Sequence, residues 1–189
     1  DDYSFSFDGT FRALDWMALT KLYGVNPLFA PGNDTYNFNT SEGIFIIDGG
    51  GTDTIDCATT VSDVYIDLRP GMHSYLGTKS AFITSANQLT ISHGSNIENV
   101  ETGFGNDVVI GNGLDNIIKT SDGNDTIFAG NGLDVVVPGF GDDIVDLSED
   151  SASKDTVVLK FPSMGTNTKV LYGFKQGTDG DVIELENIG

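Results

Sequence analysis

The sequence predicts an all-β protein built as a parallel β-roll, a solenoid in which short strands stack into two facing sheets. Three regularities in the stretch 101–150 predict this fold. An anchor residue, aspartate in four of five cases, recurs every nine positions; a β-branched residue stands two positions after each anchor; and glycines stand two and four positions before most of them. A turn and a short strand repeated at a fixed period are typical of solenoids.

The repeated positions match the nonapeptide G-G-x-G-x-D-x-U-x. The anchors are Asp107, Asn116, Asp125, Asp134 and Asp143. The β-branched residues are Val109, Ile118, Ile127, Val136 and Val145. The glycines are Gly103, Gly105, Gly123, Gly130, Gly132, Gly139 and Gly141. In such a unit glycines form the turn, aspartate closes it, and the β-branched side chain enters a narrow core.

The spacing also predicts where the anchors lie. Two nine-residue units form one coil, so anchors on the same edge recur every eighteen residues. Asp107, Asp125 and Asp143 should therefore line one edge, and Asn116 and Asp134 the other. Calcium is a hard cation that takes roughly six to eight oxygen ligands, which carbonyls and aspartates of two stacked turns can supply. The repeats therefore predict calcium in the turns.

The second repeat is the weakest of the five. Asn112 and Leu114 replace two glycines, and Asn116 replaces the aspartate. Because an amide brings no negative charge, we expect a weaker or absent calcium site at this turn.

Composition supports a cation-dependent fold. The chain has 189 residues, with 28 acidic against 9 basic residues and a formal net charge of −19. This balance disfavours nucleic acid and membrane surfaces as partners, since both are usually anionic. Hydrophobic residues make up 39% of the chain, which is enough for a core. We expect the chain to expand without calcium and to fold with it.

Other features place the protein outside the cell. A single cysteine, Cys57, permits no internal disulfide, and we expect it to be a small buried residue. Stabilisation by metal suits an extracellular bacterial protein. No apolar run approaches the ~20 residues of a membrane span, so no membrane insertion is expected. The abrupt start at Asp1 suggests a piece of something longer.

The N-terminal part, 1–25, predicts a strand over 1–8 and a helix over 11–23. Thr10 is a candidate N-cap, and Gly24 follows the last turn. Leu14, Met17, Ala18 and Leu22 share one helical face, and Trp16 and Met17 are expected to pack in the core.

The segment 26–100 predicts further strands and a second kind of calcium loop. An apolar run, Ile44 to Ile47, precedes Asp48, three glycines and Asp53. VYIDLRPG and LTISHGSNIENV are strand-like, and a polar connection over 71–88 joins them. Glu98 stands nine residues before Asp107, so the register can begin one unit early.

The segment 151–189 contains three strand-like stretches, KDTVVLKF, TKVLYGF and DVIELENI. We expect them to cap the end of the 101–150 roll, because the last coil of a solenoid otherwise exposes an open edge. The four segments should form one compact unit.

The order of these motifs resembles a known family. ALDWMALTKLYGVNP, PGNDTYNFN, DGGGTDTIDC, SHGSNIENV, the GFGND-type repeats and GFKQGTDGDVIEL are similar to the C-terminal calcium-binding domain of the serralysin metalloproteases. The same module occurs in other RTX proteins that are exported by type I secretion. The resemblance covers about residues 12 to 185.

This resemblance implies about five calcium ions. One would be held by carbonyls of Ala30, Gly32 and Gly50 with Asp34, Asp48 and Asp53. A second would be held by Gly51, Asp53, Asn96 and Glu98. Three more would lie between the turns of Asp107 and Asp125, of Asp125 and Asp143, and of Asn116 and Asp134. The repeat ligands implied are Gly103, Gly105, Asp107, Asn116, Thr120, Asp122, Gly123, Asp125, Asp134, Pro138, Phe140 and Asp143.

The catalytic motif of those proteases is missing from this sequence. Their H-E-x-x-H helix holds zinc beside a general base. Here the only histidines, His73 and His93, stand twenty residues apart, and we expect both to be ordinary surface or turn residues. The chain itself is therefore not expected to be an enzyme.

Two functions remain open for this secreted or cell-surface module. In the first, it is part of a large RTX adhesin and binds a peptide or a glycan on another cell. In the second, it is the calcium-dependent folding and secretion domain of a serralysin-like metalloprotease. The first is slightly favoured by the missing H-E-x-x-H motif, by the opening DDYSFSFDGT, which does not resemble the proteases, and by the end of the sequence soon after DVIELENIG. In both, the partners are calcium and the type I secretion machinery, and the module is monomeric.

Overall fold

The computed structural model describes residues 13–39, 41–150, 153–161 and 167–187. Within these residues there is one helix, α1, which covers Ala13–Tyr23. Gly24 adopts a left-handed φ of 75°, and its N–H donates to the Thr20 carbonyl at 2.9 Å. This is a common helix C-terminal geometry that glycine adopts without strain. The predicted strand over 1–8 and the candidate N-cap Thr10 lie outside the described residues.

The other elements in the described part of the chain are fifteen short strands in two sheets. Sheet A contains, in spatial order, β1 (Thr35–Asn37), β3 (Thr54–Asp56), β7 (Asn99–Glu101), β9 (Ile117–Lys119), β11 (Val135–Val137), β13 (Thr156–Phe161) and β15 (Val182–Asn187). Sheet B contains, in spatial order, β14 (Lys169–Tyr172), β12 (Asp143–Asp146), β10 (Thr126–Phe128), β8 (Val108–Ile110), β4 (Val64–Asp67), β5 (His73–Leu76), β6 (Gln88–Ile91) and β2 (Ile44–Ile46).

Apart from β4, β5 and β6, which follow one another in sheet B, successive strands alternate between the two sheets, as in a parallel β-roll. Every neighbouring pair in sheet A is parallel. In the repeats the register is the predicted eighteen residues: Ile127 lies beside Val109, and Val136 beside Ile118. Val100 lies beside Ile118, so the register does begin one unit before Asp107.

The core is the narrow layer between the sheets. The five predicted β-branched residues are each 0% exposed. Val100, Ile55 and Val157 are also fully buried and continue the same layer into both flanking segments. One apolar side chain per three-residue strand is therefore enough to fill this core.

Two expectations about local structure were wrong. The polar connection over 71–88 contains a strand, β5, which pairs antiparallel with β4 and β6. The stacked rings of Tyr65 and Tyr75, with centroids 5.1 Å apart, link β4 to β5. On α1, Leu14 and Leu22 are more than two-thirds exposed, while Trp16 and Met17 are only half-buried, so this helix contributes little to the core.

The three C-terminal strands extend the roll by parallel pairing. β13 adds to β11, β15 adds to β13, and β14 adds to β12. β15 and β14 are consequently the terminal strands of sheets A and B. Among the described residues, no helix is long and apolar enough to cross a membrane.

Candidate metal centre

Acidic side chains stack into a column along the edge where the strands of sheet A begin. Each strand of this sheet is preceded directly by an acidic residue or asparagine. Parallel pairing sets these equivalent positions side by side. The sheet A column consists of Asp34, Asp53, Glu98, Asn116, Asp134, Asp155 and Asp181. The predicted anchors are thus part of a longer row that runs the whole length of the sheet.

A second column lies at the corresponding edge of sheet B. Asp107, Asp125 and Asp143 occupy equivalent positions one coil apart, and Lys169 pairs in register with Asp143. We refer to Asp107, Asp125, Asp143 and Lys169 as the sheet B column.

Backbone hydrogen bonds hold each carboxylate in place. The N–H of Asp107 donates to Oδ1 of Asp125 at 2.8 Å, and the N–H of Asp125 donates to Oδ1 of Asp143 at 2.9 Å. In the sheet A column, the N–H groups of Asp134 and Asp155 donate to the Oδ1 atoms of the next members at 3.0 Å. One oxygen of each carboxylate is therefore committed to the fold.

The second oxygen of most anchors has no such partner. Within the described part of the chain, these buried oxygens accept no hydrogen bond: Oδ2 of Asp53, Asp107, Asp125, Asp134 and Asp155. The hydroxyls of Thr102 and Thr120 lie near Asp107 and Asp125 but do not meet hydrogen-bond geometry with them. Buried polar atoms are normally satisfied, so these oxygens point to a cation that completes them.

The turns leave room for carbonyl ligands only because glycine occupies them. A Cβ on Gly123, which has a φ of 139°, would lie 1.9 Å from the Gly105 carbonyl oxygen. A Cβ on Gly141 would lie 1.7 Å from that of Gly123. The glycine two positions before each aspartate anchor therefore brings the backbone of successive coils together beside the carboxylates.

Burial raises the pKa of these carboxyls. The pKa values of Asp53, Asp125 and Asp134 rise to about 7, with burial as the largest cause and neighbouring carboxylates adding to it. The pKa values of Asp107 and Asp155 are raised for the same first reason. A row of buried anions at close range requires protons or cations for neutralisation.

At the β1 end of the sheet A column, Asp48 from the loop after β2 joins Asp34 and Asp53 in a cluster. Ligand atoms of Asp34, Asp48 and Asp53 lie within 4.8 Å of one another. The Asp34 N–H donates to Asp53 Oδ1 at 2.7 Å, and the Tyr36 hydroxyl donates to Asp48 Oδ2 at 2.5 Å. The Asp53 N–H donates to Glu98 Oε2 at 2.8 Å, so the second predicted set adjoins the first.

The other predicted ligands differ in their surroundings. Asn96 and Asp122 are exposed, whereas Gly103, Gly105, Thr120 and Pro138 are buried. The Phe140 carbonyl accepts the Gly123 N–H at 2.9 Å. Ala30 has a φ of 44°, in the left-handed region that is uncommon for alanine, and its side chain is 3% exposed.

Asn116 is engaged entirely by protein groups. Its Nδ2 donates to the Glu98 carbonyl at 2.9 Å and to Asn112 Oδ1, and its Oδ1 accepts the Asn112 N–H at 3.0 Å. Asn112 Nδ2 in turn donates to the Ile97 carbonyl at 2.8 Å. Amide donors thus satisfy the carbonyls at this turn.

Two members of the sheet A column were missed from the sequence. Asp155 and Asp181 stand 21 and 26 residues from their predecessors, because longer connections interrupt the eighteen-residue period. The signal that could have found them is the apolar β-branched residue two positions later, Val157 and Ile183. Glu149, whose side chain is 0% exposed, raises the pKa of both Asp134 and Asp155 and lies beside that pair.

Cys57 and His73, which stood out in the sequence, are held by contacts within the fold. Cys57 is buried, and burial together with nearby aspartates raises its pKa to about 12, which disfavours a reactive thiolate. The His73 ring nitrogens contact Thr90 Oγ1 at 2.9 Å and Gln88 Oε1 at 3.0 Å. Among the described residues, neither histidine belongs to a cluster with metal-ligand geometry.

Comparison with known proteins agrees with this geometry. Residues 110–145 match the family of RTX calcium-binding nonapeptide repeats in four copies. Serralysin of Proteus mirabilis is 35% identical over 55% of this chain and 23% of its own length. Metallopeptidase AprA of Pseudomonas marginalis is 34% identical over 56% of this chain and 24% of its own length.

Serralysin C of Dickeya chrysanthemi is 33% identical over 58% of this chain and 24% of its own length. The chain thus spans about a quarter of the length of these curated relatives. Residues 110–145 are thus similar to RTX calcium-binding repeats, and more than half of the chain is similar to part of these relatives.

Proposed function

We propose that this chain is a calcium-dependent folding module of a protein exported by type I secretion, and that it acts outside the cell. The observation that carries the proposal is the set of buried Oδ2 atoms without hydrogen-bond donors, which recur along both columns. Carboxylate and carbonyl oxygens are the ligands that calcium prefers. When bound, calcium supplies the positive charge that these oxygens otherwise lack.

The ions that we propose number about five. Three sets are Asp34, Asp48 and Asp53; Gly51, Asp53, Asn96 and Glu98; and the turns of Asp107 and Asp125. The fourth lies between the turns of Asp125 and Asp143. The fifth lies between the turns of Asp134 and Asp155, in place of the pair predicted with Asn116, because both Asp134 and Asp155 have a buried oxygen without a donor.

Negative charge controls folding in this proposal. At a net charge of −19 the chain repels itself, and the columns place carboxylates one strand spacing apart. Extracellular modules of this class bind calcium at roughly 10⁻⁴–10⁻³ M, far above the concentration in the cytoplasm. The chain therefore stays unfolded inside, folds once outside, and cannot return through the exporter.

A calcium titration of the calcium-free chain tests this function. Far-UV circular dichroism should report cooperative formation of strand structure with a midpoint between about 10⁻⁴ and 10⁻³ M calcium. A chelator should reverse the change, and magnesium at the same concentration should not reproduce it, because magnesium prefers a smaller and more hydrated site. Full strand structure in chelator at neutral pH would contradict the proposal.

The module can belong to either of two longer proteins, a metalloprotease or an RTX adhesin. The relatives carry the names serralysin, metallopeptidase and metalloprotease, which supports the view that this module accompanies a protease domain. The sequence of the gene that encodes this module decides between the protease and the adhesin. An H-E-x-x-H motif within about two hundred residues upstream would support the protease, and long tandem repeats there would support the adhesin.

Ligand binding for adhesion is a second candidate function, and one feature favours it. An open groove of about 530 Å³ is lined by Arg69, Phe128, Asn131 and Asp150, among others. It combines an aromatic ring with polar and charged groups, as glycan and peptide sites do. Peptide and glycan arrays probed in millimolar calcium, with Phe128→Ala as the groove variant, test this role. Silence of the folded wild-type chain on both arrays would reject it.

A further inference from the structure

The sheet B column ends in a cation of the protein itself. Lys169 is the first residue of β14 and pairs with Asp143, which places it one coil after Asp143 in the column of Asp107, Asp125 and Asp143. Every earlier member of this column is an aspartate. The lysine side chain is 10% exposed and points back into the column.

The Lys169 ammonium contacts the two kinds of oxygen that the other turns present. Its Nζ donates to the Gly141 carbonyl at 2.8 Å and forms an ion pair with Asp143 Oδ2. The equivalent atoms one and two coils earlier are the Gly123 carbonyl with Asp125 Oδ2, and the Gly105 carbonyl with Asp107 Oδ2. In those two turns Oδ2 is buried and has no donor, whereas in the Asp143 turn it has one.

We infer that Lys169 is a built-in substitute for the last calcium ion of the sheet B column. Its ammonium neutralises Asp143 and satisfies Gly141, so the column closes without an ion beyond the Asp143 turn. The number of ions on this column is then set at two by the protein rather than by the calcium concentration. This inference rests on the proposed calcium-dependent folding.

An extended column provides the test. In Lys169→Asp the column continues with a fourth aspartate, and the Asp143 turn gains the carboxylate pair found one coil earlier. We expect native mass spectrometry at saturating calcium to show one more ion than in the wild type. Lys79→Asp is the control, because Lys79 is exposed, belongs to neither column and undergoes the same change of charge. Its ion count should equal that of the wild type.

Amine acetylation of the calcium-saturated wild-type chain gives a second measurement that needs no variant. Lys169 should react at least about tenfold more slowly than Lys79 and Lys154, since a buried ion pair must open first. Equal ion counts in wild type and folded Lys169→Asp, or rapid acetylation of Lys169, would overturn the inference. A wild-type chain that binds no calcium would instead overturn the proposed function.

Discussion

At the scale of single residues, Asp125 has the most demanding position in the molecule. It lies between Asp107 and Asp143, is linked to both by backbone hydrogen bonds, and is 1% exposed. In the proposed arrangement it serves two ions, whereas Asp134 serves one.

We therefore expect Asp125→Ala to raise the calcium midpoint of folding at least about tenfold, since a charged ligand contributes about 1.5–3 kcal/mol. Asp134→Ala should raise it less. Circular dichroism titrations of both variants beside the wild type measure the difference. Equal midpoints for the two variants would reject the stacking of ions along the sheet B column.

Asn116 offers the reverse experiment. Its amide now fills a turn by donating to the Glu98 carbonyl, and Asp134 lies one coil away. Asn116→Asp removes that donor and adds a carboxylate, so we expect one additional calcium ion by native mass spectrometry. Asp115→Asn, at the exposed neighbouring position, should leave the count unchanged. An unchanged count in folded Asn116→Asp would show that this turn cannot accommodate an ion.

At the scale of elements, each repeat strand depends on one inward side chain. Ile118 in β9 is 0% exposed, while its neighbour Ile117 is 41% exposed. In saturating calcium, Ile118→Ala should lower the free energy of unfolding by about 2–5 kcal/mol, through lost burial and a cavity. Ile117→Ala should change it by less than about 0.5 kcal/mol. Urea unfolding of the two variants measures both, and equal losses would place β9 in the wrong orientation.

The positions of anchors and strands could be predicted from the sequence only where they follow the eighteen-residue period. The anchors from Asp107 to Asp143 were placed correctly because their eighteen-residue spacing is also the structural period. Asp155 and Asp181 were not found, because connections of different length shift their spacing without changing their place in the column. Strand β5 was missed because its pairing is antiparallel and local, so the repeat period carries no information about it.

Side-chain roles at the sites were less predictable. An aspartate at the right spacing does not reveal whether a neighbour supplies its counter-charge. Lys169 comes 26 residues after Asp143, and only the register of β14 brings the two together. The amide network of Asn112 and Asn116 likewise depends on carbonyls of Leu68 and Ile97, which lie on other coils.

At the scale of the whole molecule, the shared rise in carboxyl pKa predicts a dependence on pH. A folded-state pKa near 7 exceeds the unfolded value near 3.8, so these groups stabilise the calcium-free fold below about pH 4. That contribution is lost as the pH rises through about 7. We expect the calcium-free chain to gain strand structure on acidification from pH 8 to pH 5, measured by circular dichroism.

Calcium should show the opposite dependence, because protons compete for the same oxygens. The calcium midpoint should rise as the pH falls from 7.5 to 5.5. Asp125→Asn, which cannot bind the proton at this position, should weaken both trends. If the midpoint were independent of pH, the buried carboxylates would not be the ligands.

The order of strands in sheet A also bears on how the molecule responds to tension. β1 and β15 lie at opposite ends of seven strands, about 29 Å apart for six spacings of about 4.8 Å. When the two end strands are pulled apart along this axis, the force acts along the hydrogen bonds between strands, and the rows of hydrogen bonds can break one at a time. Ions that join neighbouring coils would reinforce the rows that they bridge, so the force needed to extend the module should rise with the calcium concentration around it.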